Sequence, residues 1–383
     1  MIKVLIFIES LELGGAERAL ALLAENIDKT KCDLHVVSVT DGQAFTRRVK
    51  EACRFSCFTK KPVSKHAKFK MLLNKLVIKF SCTAPPPLVH RVFFRERYDI
   101  EVAFCEGYAA RLIAASPDKK SKKIAWIHTD VINNPWSEKI HGSAEKERAC
   151  YNKFDAVCCV SDSVLNSAVQ KFKIEQKALV VYNPTDEHGI AEHLKQSGGS
   201  DCKNDNIIRI VTAGRLVPVK VFDRLIGIAG RLKKEGFDFS LQILGEGEER
   251  PKLENMASQC GVADSVLMPG KVENPYPYYS RADFYVCSSK AEGLSMAATE
   301  AVMLGLPVIT TDCAGMRELF GGFDCGLICE NDEESLYAAI RYVFENPSCL
   351  PEFSNNCLER ARDFSLAKNI KAVQRVFENV LEI

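Results

Sequence analysis

From residue 283 the chain reads Asp283-Phe284-Tyr285-Val286-Cys287-Ser288-Ser289-Lys290-Ala291-Glu292-Gly293-Leu294-Ser295-Met296-Ala297-Ala298-Thr299-Glu300-Ala301, and from 305 Gly305-Leu306-Pro307-Val308-Ile309-Thr310. The apolar run at 283–287 has the continuous character of a buried parallel strand, and Leu306–Thr310 that of the next one. Between them lies a loop feeding a helix over 295–304. Glu292 therefore falls at the carboxyl end of a strand and Glu300 on the following helix, where open α/β sheets bind ligands. Gly293 lets the backbone turn close to a ligand, and the free amides at the helix start, from Ser295 on, offer an anion site. Two carboxylate acceptors beside such a site suit a sugar nucleotide.

The same strand–helix rhythm extends outward from this stretch. Strands are expected at 208–212, 240–244, 266–268, 284–287 and 308–310, with helices near 222–235, 250–260, 275–281 and 295–304. Alternation of this kind implies a doubly wound parallel sheet. The first half carries it too, with strands at 3–9, 34–39, 99–104, 123–128, 156–160 and 178–182. Helices there fall around 17–27, 108–115 and 163–172, the first with Leu20, Leu23 and Ile27 on one face. We therefore expect an N-terminal Rossmann-like domain over 1–186, a polar linker or surface loop over 187–206, and a C-terminal Rossmann-like domain over 207–364. In the last helix, 365–383, Leu366, Ile370, Val373, Phe377 and Val380 share a face.

At 383 residues with 46% hydrophobic content, the chain suits two domains of ordinary size. It opens directly on a strand, shows no signal peptide, and has no stretch apolar enough to span a bilayer, so a cytoplasmic location is expected. Its 16 cysteines are scattered through apparent core strands, as in Val157-Cys158-Cys159-Val160, and are expected to be reduced. No Cys-x-x-Cys pair or His-x-x-x-His cluster supports a structural metal. The net charge is +1, but residues 1–185 carry 30 Lys+Arg against 20 Asp+Glu while the remainder carries 21 against 30. An overall charge near zero argues against nucleic acid as a partner, whereas the basic half could face an anionic membrane surface.

Several motifs together resemble the retaining glycosyltransferases of family four. They are Gly14-Gly15-Ala16-Glu17-Arg18 after the first strand, Trp126-Ile127-His128 after a middle strand, Gly214-Arg215-Leu216-Val217-Pro218-Val219-Lys220, and the whole run from Asn274-Pro275-Tyr276-Pro277-Tyr278 to Gly305-Leu306-Pro307-Val308. The resemblance implies the glycosyltransferase-B fold: an α/β protein of two Rossmann-like doubly wound domains facing a central cleft, its terminal helix crossing back to the first domain. It also implies transfer of a hexose or N-acetylhexosamine from a nucleoside diphosphate sugar, favouring UDP, with retention and without a metal or other cofactor. The implied acceptor is a lipid-linked glycan of a cell-surface polysaccharide such as capsule or lipopolysaccharide.

Residue chemistry and resemblance then converge on a candidate site. Arg215 and Lys220 flank the loop leaving the strand at 208–212, and can neutralise a diphosphate, Arg in a bidentate manner and Lys as a mobile point charge. By resemblance Glu300 corresponds to the carboxylate that holds the ribose, and Glu292 to the one beside the sugar and its phosphate. Gly293, Leu294 and Ser295 line the sugar pocket, while Gly245 of Gly245-Glu246-Gly247-Glu248 and the backbone of Val272–Asn274 lie near the base. Val221 stands where the family commonly has glycine, and Gly293-Leu294-Ser295-Met296 departs from the commoner Gly-Phe-Gly-Leu. In the N-terminal half, Gly15 is expected at the donor, Gly14 and Arg18 on the acceptor side, and His128 next to the transferred sugar. Asp130 is expected to orient His128 or bind acceptor.

Residues 60–97 hold ten Lys+Arg against the single acid Glu96. A helix over 69–80 would gather Leu72, Leu73, Leu76 and Phe80 on one face with Lys68, Lys70, Lys75 and Lys79 near it, as suits a helix lying in a headgroup layer. Two rival functions share parts of this pattern. A sugar-nucleotide epimerase would use the same architecture but has no use for a basic acceptor face, and a glycan-binding protein would bind without turnover.

Overall fold

The computed structural model describes residues 1–12, 14–60, 68–196 and 207–382. It separates into two compact units, Met1–Pro184 with Ala367–Ile383, and Thr185–Leu366. The first is built on seven strands: β1 (Ile2–Ile8), β2 (Cys32–Thr40), β3 (Arg54–Thr59), β4 (Ile100–Ala103), β5 (Lys122–Ile127), β6 (Ala156–Cys159) and β7 (Ala178–Val180). They lie in the order β3-β2-β1-β4-β5-β6-β7, and every pair is parallel. The second unit has β8 (Ile208–Ala213), β9 (Phe239–Leu244), β10 (Val266–Gly270), β11 (Phe284–Cys287), β12 (Val308–Thr311) and β13 (Gly326–Cys329). Their order is β10-β9-β8-β11-β12-β13, again all parallel. The protein thus has the two Rossmann-like α/β sheets expected.

Both sheets reverse direction of winding once, between β1 and β4 in the first unit and between β8 and β11 in the second. At such a switch point neighbouring connections leave to opposite faces and open a crevice outside the carboxyl ends of the strands. Three of the four switch strands, β1, β4 and β11, are deeply buried along most of their length. Val4–Phe7 and Ile100–Ala103 are fully or almost fully covered, as are Phe284–Cys287. Two apolar layers sandwich the second sheet: helix Phe222–Lys234 supplies Phe222, Leu225, Ile226 and Ala229 on one side, while helix Met296–Met303 supplies Ala298, Ala301 and Val302 on the other.

The last helix, Leu366–Glu382, buries Ile370, Val373, Phe377 and Val380. It is tied within the first unit by Asn369 Nδ2 donating to the Asn183 carbonyl (2.9 Å) and by Lys31 Nζ to Glu378 Oε1 (3.1 Å). The stretch 187–206 departs from the expected linker. Its first half is a helix, Glu187–Gln196, because Ile190 is buried with Tyr276 and Met303 and anchors an otherwise polar segment. His193 Nε2 lies 2.8 Å from Ser280 Oγ, and Asp186 Oδ2 accepts from Tyr276 Oη, so this segment belongs with the second unit. Residues 197–206 lie outside the described residues.

Candidate functional site

In the second unit the loops that follow β8 and β11 are braided together. Lys290 N donates to the Val219 carbonyl (2.8 Å), Ser288 Oγ to the Lys220 carbonyl (2.8 Å), and Thr311 Oγ1 to the Ser289 carbonyl (2.7 Å). This framework brings Lys220 Nζ to 2.6 Å from Glu292 Oε1, which also accepts from Ser289 Oγ at 2.6 Å. The pair is partly covered, with side-chain exposures of 19% and 11%. Burial works against the Lys220 ammonium, but the Glu292 carboxylate outweighs it, and the net shift of the lysine is upward. Arg215, close enough to Lys220 to repel it, is exposed, and its guanidinium makes no hydrogen bond or ion pair among the described residues.

Glu300 is buried on helix Met296–Met303, whose first amides are capped by Ser295 Oγ accepting from Ala298 N. The Gly293–Leu294 backbone is pressed against Gly315, where φ is +80° and an added Cβ would stand 2.1 Å from the Gly293 carbonyl. Gly245 is similarly locked: at φ +149° its Cβ would meet the Gly214 carbonyl at 1.9 Å, so the loop after β9 leans directly on the Arg215 loop. Asn274 Oδ1 accepts from Tyr276 N (3.0 Å), and Val272 packs on the apolar layer below.

In the first unit, the carboxyl ends of β4 and β5 carry Glu106 and His128. Glu106 Oε1 accepts from His128 N (2.6 Å), Thr129 N (2.8 Å) and Thr129 Oγ1 (3.0 Å). Burial raises the Glu106 carboxyl, and these donors partly oppose it. His128 keeps some exposed surface, yet both ring nitrogens are buried and neither has a hydrogen-bond partner among the described residues. Burial pushes its imidazole down to about 4, so it is neutral at neutral pH. Asp130 does not orient it. The Asp130 carboxylate is used within its own loop, accepting from Ile132 N (2.9 Å), Asn133 N (3.0 Å) and Asn133 Nδ2 (2.7 Å). Gly14 precedes helix Gly15–Asn26, and a Cβ added there would meet the carboxylate of Glu17 at 2.2 Å; Arg18 lies half-buried in the first turns.

The sequence matches two family models in turn: "Glycosyltransferase Family 4" over residues 13–188 and "Glycosyl transferases group 1" over 200–364. The chain belongs to the family-four glycosyltransferases. The transferase is 28% identical, over 96% of its length and 97% of the relative's, to the N-acetylgalactosamine-N,N'-diacetylbacillosaminyl-diphospho-undecaprenol 4-alpha-N-acetylgalactosaminyltransferase of Campylobacter jejuni. It is 26% identical, over 56% of its length and 60% of the relative's, to the O-antigen biosynthesis glycosyltransferase WbnH of Escherichia coli. Among solved structures, Anabaena HepE in complex with UDP and glucose superposes with a TM-score of 0.74 at 19% identity, covering 99% of the transferase and all of HepE. That likeness confirms the glycosyltransferase-B fold.

Two features of the transferase escaped sequence reasoning. Glu106 gave no periodic signal; its one mark was an acid between the end of an apolar run and a glycine, in Phe104-Cys105-Glu106-Gly107. Gly315 lies 22 residues from the glycine it supports. The helix expected over 69–80 is present as Lys68–Thr83, and its apolar residues are exposed: Leu72 and Leu76 are 56% and 54% exposed, with Met71, Leu73 and Ile78 exposed beside them. Lys75 and Lys79 are exposed on the same helix; the side chains of Lys68 and Lys70 lie outside the described residues. Among the described residues no helix is long and apolar enough to cross a membrane, and no three His, Cys, Asp or Glu side chains are grouped to hold a metal ion.

Proposed function

We propose that the transferase moves a hexose or N-acetylhexosamine from a UDP-sugar, with retention, to a hydroxyl of a lipid-linked glycan destined for a cell-surface polysaccharide. The observation that carries this reading is the Lys220–Glu292 pair with Arg215 exposed at its side. A diphosphate entering there meets two cations, and Glu292, relieved of Lys220, is free to accept from a sugar hydroxyl. Glu300 takes the ribose. The bond from the anomeric carbon to the phosphate oxygen breaks while the acceptor oxygen bonds on the same face, its proton passing to the departing phosphate. Arg215, Lys220 and the amides at Ser295–Ala297 stabilise the charge that develops on that phosphate, a task a divalent ion performs in other designs. The Campylobacter relative's name, which joins an N-acetylgalactosamine donor to a diphospho-undecaprenol acceptor, and the UDP bound in HepE both support this choice.

A thermal-shift screen of UDP-, GDP- and ADP-sugars tests the donor. Binding at a hundred times the dissociation constant stabilises by about 2.7 kcal/mol, and a response to GDP- or ADP-sugars alone would sink the UDP reading. Incubation with donor alone separates a transferase, which leaves the sugar's configuration intact, from an epimerase. Activity is expected to survive a strong chelator; loss restored by magnesium would overturn the metal-free mechanism.

The exposed stripe of helix Lys68–Thr83, flanked by Lys75 and Lys79, fits the inner face of an anionic membrane, where each lysine adds about 1 kcal/mol of attraction. Replacing Lys68, Lys70, Lys75 and Lys79 by glutamine is then expected to release the protein from anionic liposomes. Wild-type protein that fails to sediment with such liposomes at low salt would end the peripheral-membrane reading.

A further inference from the structure

The loop that follows His128 is held with unusual thoroughness for what it displays. Beyond the three bonds to Asp130, Lys171 Nζ donates to the Val131 carbonyl (3.1 Å) and pairs with Glu147 Oε2 (2.8 Å). Ser137 Oγ donates to the other oxygen of Glu147, a carboxylate with no exposed surface. Arg111 Nη1 reaches the Ile140 carbonyl at 3.3 Å. On this rigid frame stands Trp136, 38% exposed. A single exposed apolar side chain on its own means nothing; the seat of this one distinguishes it. Its six-membered ring lies against Gly107, where φ is +73° and an added Cβ would come within 3.0 Å of two ring carbons. Gly107 adjoins Glu106, whose carboxylate fixes the His128 amide, so indole, glycine, acid and the His128 backbone follow one another at the carboxyl ends of β4 and β5. On the other side, Tyr108 Oη donates to the Ser81 carbonyl (2.7 Å), joining the same line to the exposed helix Lys68–Thr83.

We propose that Trp136 is the stacking platform for the terminal sugar of the acceptor, a role that rests on the transferase reading above. The carboxyl edge beside a switch strand is where such sheets take ligands. What the edge offers here is a neutral imidazole and the broad amphipathic surface of an indole. A pyranose is the matching ligand: uncharged, hydroxyl-bearing at its rim, with a face of C–H bonds that the electron-rich ring attracts. A rigid loop holds that surface in place before binding and so lowers the entropic cost of docking.

The transferase contains only two tryptophans, and Trp126 is 1% exposed, so fluorescence accessible to acrylamide reports Trp136. Three probes are compared on the full chain: farnesyl diphosphate carrying one N-acetylhexosamine, farnesyl diphosphate without sugar, and anionic phosphatidylglycerol vesicles. Protection from acrylamide by the sugar-bearing probe alone is the expected result. Equal protection by the sugarless lipid, or by vesicles, would make Trp136 a lipid or membrane contact and overturn the proposal. So would unprotected fluorescence in an enzyme that transfers sugar to the probe, whereas an enzyme that transfers none would fail the reading of function itself. In kinetics, Trp136→Ala should raise the acceptor KM about tenfold or more, the scale of a lost aromatic anchor, with a smaller change in kcat. Trp136→Phe should recover most of it. A loss in kcat with KM unmoved would mark Trp136 as a support for the loop rather than a contact.

Discussion

At the carboxyl ends of β8 and β11 the charged groups are bound to one another, Lys220 to Glu292 and Glu292 to Ser289. At the carboxyl ends of β4 and β5 the buried acid, Glu106, is consumed by backbone amides, and the histidine beside it is neutral. The same sheet position has been furnished in two ways. A pair of opposite charges keeps each partner satisfied while the site is empty and can open toward a ligand that brings its own charge. An edge whose acids are engaged by backbone amides, beside a neutral imidazole and an exposed indole, suits a neutral ligand. The difference agrees with a charged donor in the second unit and a glycan in the first.

The largest effects should come from the charged edge. Arg215→Ala and Lys220→Ala are each expected to cut turnover about a hundredfold or more, the scale seen when a group aimed at developing charge is removed. Steady-state kcat with saturating donor and acceptor measures it. Full turnover in both variants would move the diphosphate elsewhere and dissolve the contrast.

The neutral edge should announce itself through pH. The unfolded chain takes up a proton on His128 near pH 6.5, while the folded chain refuses it until about pH 4. Stability is therefore fully retained above pH 6.5 and falls as pH drops toward 4, by at most about 3 kcal/mol from this residue. Urea unfolding of wild type and His128→Asn at pH 7.5 and 4.5 isolates the term. Equal losses in both proteins would mean that His128 is not held neutral by burial. A smaller effect belongs to Glu300→Gln, which should weaken donor binding by about 1–3 kcal/mol through loss of a charged acceptor; unchanged affinity by calorimetry would remove Glu300 from the ribose.

The contrast also separates what could be read in advance from what could not. Central strands were legible because a parallel strand buried on both faces is a continuous apolar run, and Phe284–Cys287 falls where expected to the residue. The edge strands Arg54–Thr59 and Gly326–Cys329 give no continuous apolar run because most of their residues keep exposed surface, and their composition is mixed accordingly. Lys220, Glu292 and Glu300 sit in motifs whose spacing is local. Glu106 does not, since its function depends on amides 22 and 23 residues away that only the β4–β5 pairing brings near. Of the two roles expected for Asp130, the orienting of His128 fails for the opposite reason: the two are close in sequence, but the amides two and three residues ahead take its carboxylate.

The smallest predicted effect tests how the charged edge is held. Val221 follows Lys220 with φ +51° and ψ +44°, a left-handed conformation that a β-branched residue adopts only under constraint. In the first unit the only non-glycine residue so placed among those described is Lys173, the C-cap of helix Asp162–Phe172, and its side chain is unbranched. Relief of strain at Val221 by glycine is worth about 1–2 kcal/mol, against about 0.5–1 kcal/mol for the greater freedom glycine gives the unfolded chain. Val221→Gly should therefore stabilise by up to about 1.5 kcal/mol in urea unfolding. Turnover should fall by about threefold or less, because a freer backbone holds Lys220 less firmly in position for the diphosphate. Val221→Asn sharpens the test, since asparagine tolerates the left-handed region without loosening the chain as glycine does. It should keep the gain in stability and restore turnover. A destabilised Val221→Gly would show that the valine side chain contributes more by packing than its backbone costs.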